Sequence, residues 1–503
     1  MVVCLRLIIW RRSRKMREND AIYEAAEIIA APVLALPEQK RVPRGWSAVP
    51  IGVTGNELKL KWSGLSLQPF LDNPGMSARL RVSIAVEIRE ALRVEACLLD
   101  SGRRLGIFDI RYAYVFEPFE LPLSLAQVKA AIQEGIGLNI VDAEAALWVF
   151  DDLAKDDARR FFTPHLMLAE EGGRTEQFRK RLLSLDSLQP FGWFEGCVLD
   201  GLYDMRPIAE PGHADQALSG HLRQYFDDEG KLRYEDLMGR PADGRFSGME
   251  STLPVAVVAK RQPDHPVVDQ LISYWDANLS AEKGTLSRES AITAEGAYTM
   301  GYPMAVIASK RQNEQLARMA VRQALVRRDK LTDGRDLYGI VRESGQREMR
   351  NWARSYTWYM LGLVRTWIQL RASRQYAELP GVREIEEEIK RISEVALSRR
   401  EAGGLWSCFL GEPETGIETS GSAGIAAALA LGARHGLLPQ ASFDIAREAL
   451  QALERYLTPD GILAGVCQHN CGGLQLQRGG YRVLSQMGMG LMAQLYAAIH
   501  SER

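Results

Sequence analysis

The segment NWARSYTWYMLGLVRTW, residues 351–367, sets three tryptophans and two arginines at helical spacing in an otherwise apolar run. Packing alone needs no guanidinium there. A planar arginine fork matches a carboxylate bidentately, and an indole face stacks on the apolar face of a sugar ring. Arg354 with Trp352 and Trp358 therefore reads as hardware for an acidic sugar, while Trp367 reads as core. Carboxyls suited to cleaving a glycosidic bond occur as Glu250 in GMESTLP and Glu295 in AEGAYTM. Such a pair lets one group protonate the leaving oxygen while the other activates water or attacks the anomeric carbon. Carboxyls about 5–5.5 Å apart retain configuration, and those about 6.5–9.5 Å apart invert it. Trp193, Asp200, His469 and Arg482 complete the candidate set, with three roles open for Asp200: buried hydrogen-bond partner, third catalytic carboxylate or sugar-hydroxyl ligand.

These residues must be brought together by helices. From about residue 160 the apolar spacing is 3.6, and no strand run is expected beyond that point. Helices are predicted at about 163–183, 193–210, 214–227, 248–261, 266–279, 294–310, 313–329, 351–373, 381–399, 418–436, 443–457 and 483–500. Every second one is low in charge and rich in small residues, as in ETSGSAGIAAALALG, whereas its neighbour carries a charged face, as in VREIEEEIKRISEVALSRR. The starts of the small-residue helices recur at roughly 45–65 residues, the length of one helical hairpin with its loops. Six inner helices inside six outer ones, an (α/α)6 barrel, satisfy this pattern. All inner N-termini then converge at one mouth, where partial positive charge and free N–H groups favour anionic ligands. The candidate residues fall at or near those N-terminal ends. Glu418 sits there too, and reads as a structural cap.

Residues from about 45 to 150 alternate apolar and polar positions, with β-branched and aromatic enrichment, in runs such as ARLRVSIAVEI and GIFDIRYAYVFEPFELPL. An antiparallel β-sandwich-like domain is expected over 41–155, after a tail and short helix within 1–40 (NDAIYEAAEIIAAPV) and before the barrel at 156–503. DDLAKDDARR reads as the connector.

The totals exclude other classes. The chain has 503 residues, 62 Lys+Arg against 64 Asp+Glu and a net charge of -2, so the footprint of a nucleic-acid binder is missing. Six scattered cysteines lack the density of a secreted disulfide scaffold and read as reduced, which makes the cytoplasm the default compartment. MVVCLRLIIWRRSRK places its apolar run before its basic cluster, the reverse of a signal peptide, and is too short to span a membrane. It reads as an upstream extension ahead of a start at Met16, or as a weak surface anchor. The CQHNC cluster around His469 lacks the further ligands of a zinc site, no phosphate-binding loop occurs, and no metal or cofactor is expected.

Several segments carry a family resemblance. NWARSYTWYMLGLVRT resembles the Trp-Ala-Arg-Gly-Asn-Gly-Trp segment of glycoside hydrolase families 88 and 105, the unsaturated glucuronyl and rhamnogalacturonyl hydrolases. GLWSCFLGEPETGIETSGSAGIAAALALG resembles their Gly-Leu-Trp and Glu-Thr-Ser-x-Ser-Ala segments, and GVCQHNCGG their Gly-Val-Cys turn. The resemblance covers roughly 160–503 and implies the same barrel, with Glu250 and Glu295 at the places of the family's catalytic aspartates. It departs from the family at those glutamates, at Ser355-Tyr356-Thr357, and at Gly339, where the family usually carries a histidine. These departures put vinyl-ether hydration of a 4,5-unsaturated uronide in doubt. The pattern is also similar to family 154, exo-acting β-glucuronidases on saturated uronides, and removal of a terminal β-glucuronide-type uronic acid is the favoured expectation. A uronic-acid-containing oligosaccharide is thus the expected partner, with homo-oligomerisation open. A sugar epimerase and a non-catalytic glycan binder are the rival classes.

Overall fold

The computed structural model describes residues 21–143, 146–151, 157–279 and 291–502. The expectations for the first fifteen residues and for residues 152–156 of the 151–160 connector lie outside the described residues.

The alternating segments form strands, of which β6 below buries every second side chain against the core while β9 and β10 are buried throughout. They are β1 Ile22–Ala25, β2 Glu27–Ala30, β3 Ala48–Ile51, β4 Leu58–Lys61, β5 Met76–Ser83, β6 Ala91–Leu98, β7 Arg104–Arg111, β8 Pro118–Leu123, β9 Ile136–Ile140, β10 Leu147–Phe150 and β11 His165–Glu170. One antiparallel sheet has the order β1-β11-β5-β8 and the other β2-β4-β9-β6-β7, with β10 paired to β3. A helix, α1 Leu125–Glu134, joins β8 to β9 and opens with a Ser124–Gln127 capping box.

Two expectations are corrected here. The short helix expected before Pro32 is instead β1 and β2, one strand in each sheet. Its helix-like apolar spacing is overridden by pairing of Ile22 with Leu168 and of Ile28 with Leu60, while buried Glu24 caps the Ser63–Ser66 loop. The helix expected over 163–183 begins as β11, whose apolar run pairs with β1 on one side and β5 on the other. Sheet structure therefore continues to Glu170, past the boundary expected at 155.

Beyond β11, among the described residues, come twelve helices of eight or more residues: α2 Arg174–Leu182, α3 Trp193–Asp204, α4 His213–Leu222, α5 Pro254–Arg261, α6 Pro266–Asn278, α7 Tyr302–Arg311, α8 Glu314–Leu331, α9 Ala353–Arg371, α10 Val382–Leu397, α11 Thr419–Arg434, α12 Gln440–Glu454 and α13 Gln486–His500. Helices α3, α5, α7, α9, α11 and α13 each pack on the next, and α13 returns to α3, closing a cycle. The other six pack outside that cycle, α10 showing the apolar stripe Ile385, Ile389 and Ile392 of a helix with one wet face. Small residues let the inner helices approach backbone to backbone: a Cβ added at Gly490 would lie 2.6 Å from the Cys197 backbone.

The sheet and helical regions share one continuous buried cluster. Arg81 of β5 pairs with Asp460, which follows α12, at 2.8 Å, and both side chains are fully buried. Tyr23 also donates to Asp460, at 2.7 Å. Short strands were missed in the helical region as well. Ala291–Thr293, Asp336–Arg342 and Arg347–Arg350 form an antiparallel meander whose last strand leads into Trp352.

Candidate active site

The N-terminal ends of α9, α11 and α13 lie level, since Ala353 meets Gly421, and Ser420 meets Gly488. Trp193 opens α3 and is buried, stacked on Phe194 at 3.8 Å between ring centroids and edge-on to Trp358 at 5.2 Å. Trp358 in turn stacks with Tyr298 at 6.2 Å. His469 completes this wall, its ring 5.9 Å from that of Trp193 and nearly parallel to it. Among the described residues the indole nitrogen of Trp358 has no hydrogen-bond partner.

Glu250 lies on a 3-10 turn, Met249–Thr252, directly before α5, and Gly192 next to Trp193 abuts its backbone. Burial pushes its carboxyl above the usual range. Glu295 lies just ahead of a π-helical turn, Ala297–Gly301, that leads into α7. The two segments touch: Thr252 donates to the Thr299 carbonyl, and Thr299 donates to that of Glu295. Both glutamates are half-buried. The structure therefore brings Glu250 and Glu295 onto adjacent inner-helix starts, as the chain order implied.

Arg354 and Trp352 form a second group at the same end. Trp352 caps α9 and packs with Cys408, Phe409 and Cys467. The Arg354 guanidinium lies 5.8 Å from the Trp352 ring. Its Nε donates to Ser420 and one terminal nitrogen to the Cys467 carbonyl, which leaves Nη1 without a protein partner among the described residues. Beside it is a small cavity of about 10 Å³, lined by Tyr114, Glu117, Arg354, Gln468 and Gln486 among others, with room for about one water.

His469 is electrically neutral here. Burial, aided by the Arg354 and Arg89 charges, pushes its pKa well below the ordinary value. Its Nδ1 accepts from the Cys471 N–H at 3.1 Å, so the proton is assigned to Nε2, which has no protein partner among the described residues.

Other candidates are spent on structure. Asp200 is fully buried and accepts from Tyr298 and Tyr302, each at 2.7 Å, and from Lys260 at 3.1 Å. Of its three open roles the structure supplies the buried partner. Arg482 donates to the carbonyls of Thr415, Gly416, Ile417 and Tyr481, so its fork braces a loop. Glu418 caps α11 and accepts from the backbone N–H of Ser420, Gly421 and Cys467. Among the described residues no cluster of His, Cys, Asp and Glu could hold a metal ion.

Sequence reasoning missed the loop Tyr112–Glu117 between β7 and β8. It brings Tyr114 to 4.6 Å from Phe194 and 5.0 Å from His469, while Gln486 at the start of α13 donates to the Phe116 carbonyl. Tyr112 and Phe116 hold left-handed backbone with φ of 52° and 70°, a strained conformation for bulky residues. The dense aromatics of YAYVFEPFE were the available signal, although they read equally well as strand.

The family model that matches the chain is that of a glycoside hydrolase. The chain belongs to glycosyl hydrolase family 88, whose model matches residues 174–500. A family 105 glycoside hydrolase from C. acetobutylicum is similar in structure, with TM-score 0.56 and 16% identity over 65% of this chain and 98% of that one. A possible family 105 member from Salmonella enterica gives TM-score 0.53 and 15% identity over 61% of this chain and 82% of that one. A family 88 hydrolase from Bacteroides vulgatus gives TM-score 0.50 and 15% identity over 64% and 96%. Such identities establish fold alone. No curated protein matches the chain.

Proposed function

We propose that this glycoside hydrolase releases a terminal uronic acid from an oligosaccharide, with a 4,5-unsaturated uronyl group as the first substrate class. The observation that carries the reading is that the segments bearing Glu250 and Glu295 touch, and that Gly192 next to Trp193 abuts the Glu250 backbone, within the region that matches family 88. Glu250, whose carboxyl burial keeps protonated to higher pH, is the proton donor, and Glu295 activates water or attacks. Trp193 and Trp358 form the wall of the terminal subsite. Arg354 Nη1 binds the uronate carboxylate beside Trp352, and His469 Nε2–H donates to a ring hydroxyl. Arg482 and Asp200 hold the frame. The closed helical cycle supports an (α/α)6 barrel covered by an antiparallel sheet domain that runs to Glu170.

Saturated β-glucuronides remain the second reading because of one observation. A side chain at Gly339 would collide with Ser355 Oγ and come within 3.0 Å of Met349 Cβ, so the site has no room for the family's histidine. The cytoplasm is the proposed compartment, resting on the free cysteines Cys97, Cys197, Cys408, Cys467 and Cys471. Among the described residues no helix is long and apolar enough to cross a membrane.

The test is turnover of a 4,5-unsaturated uronyl disaccharide and an aryl β-D-glucuronide by the wild type, Glu250→Gln and Glu295→Gln. Loss of at least 10²-fold in both variants on a substrate the wild type cleaves supports the assignment. Wild-type turnover of the saturated glucuronide alone selects the second reading. Undiminished turnover in either variant refutes that glutamate's role.

A further inference from the structure

The loop Tyr112–Glu117 reaches from the sheet region into the mouth of the helical cycle, and its polar contacts there form a chain. Glu117 is 7% exposed; its Oε2 accepts from the Tyr114 N–H at 2.9 Å, and its Oε1 accepts from Gln468 Nε2 at 2.8 Å. The other end of that amide, Gln468 Oε1, accepts from the His469 N–H at 2.8 Å. Gln477 Nε2 donates to the carbonyls of Gln468 and His469 at 2.6 and 3.1 Å, tying down the same two residues. The Tyr114 ring meets the His469 ring edge-on, opposite Trp193. Held this way, the His469 ring has Nδ1 occupied by Cys471 N–H and only Nε2 available to a ligand.

We propose that Glu117 and Tyr114 are positioning residues for the sugar site: the sheet region clamps His469 through Gln468 and presents its Nε2–H to the terminal uronide beside Trp193. This rests on the reading of the mouth as a uronide site. The bond from Gln468 needs only one acceptor at Glu117, which a glutamine's Oε1 supplies, while its NH2 takes the place of the Oε2 that accepts from the Tyr114 N–H. Burial pushes Glu117 up to about 8, against the opposing pull of the Tyr114 N–H, Gln468 and Arg354, so the group is a neutral acid at pH 7 and a glutamine is its close isostere. The backbone strain at Tyr112 and Phe116 accords with a loop held in place by contacts at its tip.

The experiment compares wild type, Glu117→Ala, Glu117→Gln and Gln468→Met by steady-state kinetics on whichever uronide the wild type cleaves, and by ring ¹⁵N NMR of His469, assigned with His469→Gln. The expected result is a rise in KM of at least fivefold with kcat changed less than twofold in Glu117→Ala and Gln468→Met. Glu117→Gln should restore KM to within twofold of wild type. The His469 ring should move from a single Nε2–H tautomer to a mixture in the first two variants. Wild-type KM and an unchanged tautomer in either of those two overturn the proposal, as does a Gln variant that behaves like the Ala variant. Because the ring signal is read without substrate, a wild type inactive on uronides sinks the functional reading, while a lost or retained tautomer still decides the clamp. Should Glu117→Ala fail to fold, Gln468→Met carries the same comparison, since it leaves the Glu117 turn intact.

Discussion

Replacing Asp200 by asparagine separates a structural from a catalytic carboxylate. Burial alone would raise the Asp200 pKa, yet the Lys260 and Arg365 charges and the two phenols outweigh it and hold the carboxyl below its ordinary range. Asparagine keeps the shape and one acceptor oxygen but cannot balance Lys260, whose side chain is 6% exposed. Arg365 keeps its pairing with Asp204 and its bonds to Gln494. Breaking a buried pair by removing one partner costs about 3–5 kcal/mol, because the remaining charge stays buried. An unfolding entropy of about 2.1 cal/mol/K per residue gives about 1.1 kcal/mol/K for a chain of this length, so Tm should fall by about 3–5 °C. Calorimetry supplies the Tm, and turnover measured well below it should stay within a few-fold of wild type. A variant with wild-type Tm and turnover reduced by 10²-fold would refute this reasoning and return Asp200 to the reacting atoms.

Two further outcomes follow from the same geometry. Glu117 is held protonated up to about pH 8 when folded but ionises near 4.5 when unfolded, so the unfolded state binds fewer protons between those values and stability falls as pH rises. The slope of about 1.36 kcal/mol per pH unit amounts to about 3 kcal/mol between pH 5.5 and 8. Denaturant unfolding of Glu117→Gln should show that much less loss across the interval than wild type, and an identical loss in both would refute the neutral acid. Gly339→His should lose about 1–3 kcal/mol by overpacking against Ser355, and a second change, Ser355→Gly, should recover most of it. The ratio of unsaturated to saturated uronide turnover should rise in the double variant only; a single variant with wild-type Tm would show that the position has room.

The helices were legible because each is a local object: spacing of 3.6, caps and small-residue faces are all written within twenty residues, and the alternation of wet and enclosed helices carried the ring with it. Errors fell where partners are remote. The stretch after Asn19 has helix-like apolar spacing, yet Ile22 finds Leu168 across the sheet, and no window around Ile22 contains that information. The same holds for HLMLAE, whose buried run suits a helix or a strand equally until β1 and β5 are in place on either side.

The candidate site divides along the same line. Glu250, Glu295, Trp193 and Trp358 were legible as helix starts of related character. Arg482 and Asp200 were legible as polar residues in the right place, but the sequence could not show that backbone carbonyls and phenols already occupy them. Glu117 was invisible for a different reason: it lies 351 positions from Gln468, its hydrogen-bond partner. That distance has a functional consequence. The region that matches the family, residues 174–500, contains Glu250 and Glu295, each at the start of its own inner helix, so on the proposed reading the ring carries both carboxyls. The Cys471 N–H sets the His469 tautomer, and on the proposed reading a loop from the sheet region holds its pose through Gln468 and Tyr114. On that reading the chemistry and the aim of this site are encoded in different parts of the chain, and substitutions at Tyr114 or Glu117 should raise KM for the uronide with little change in kcat.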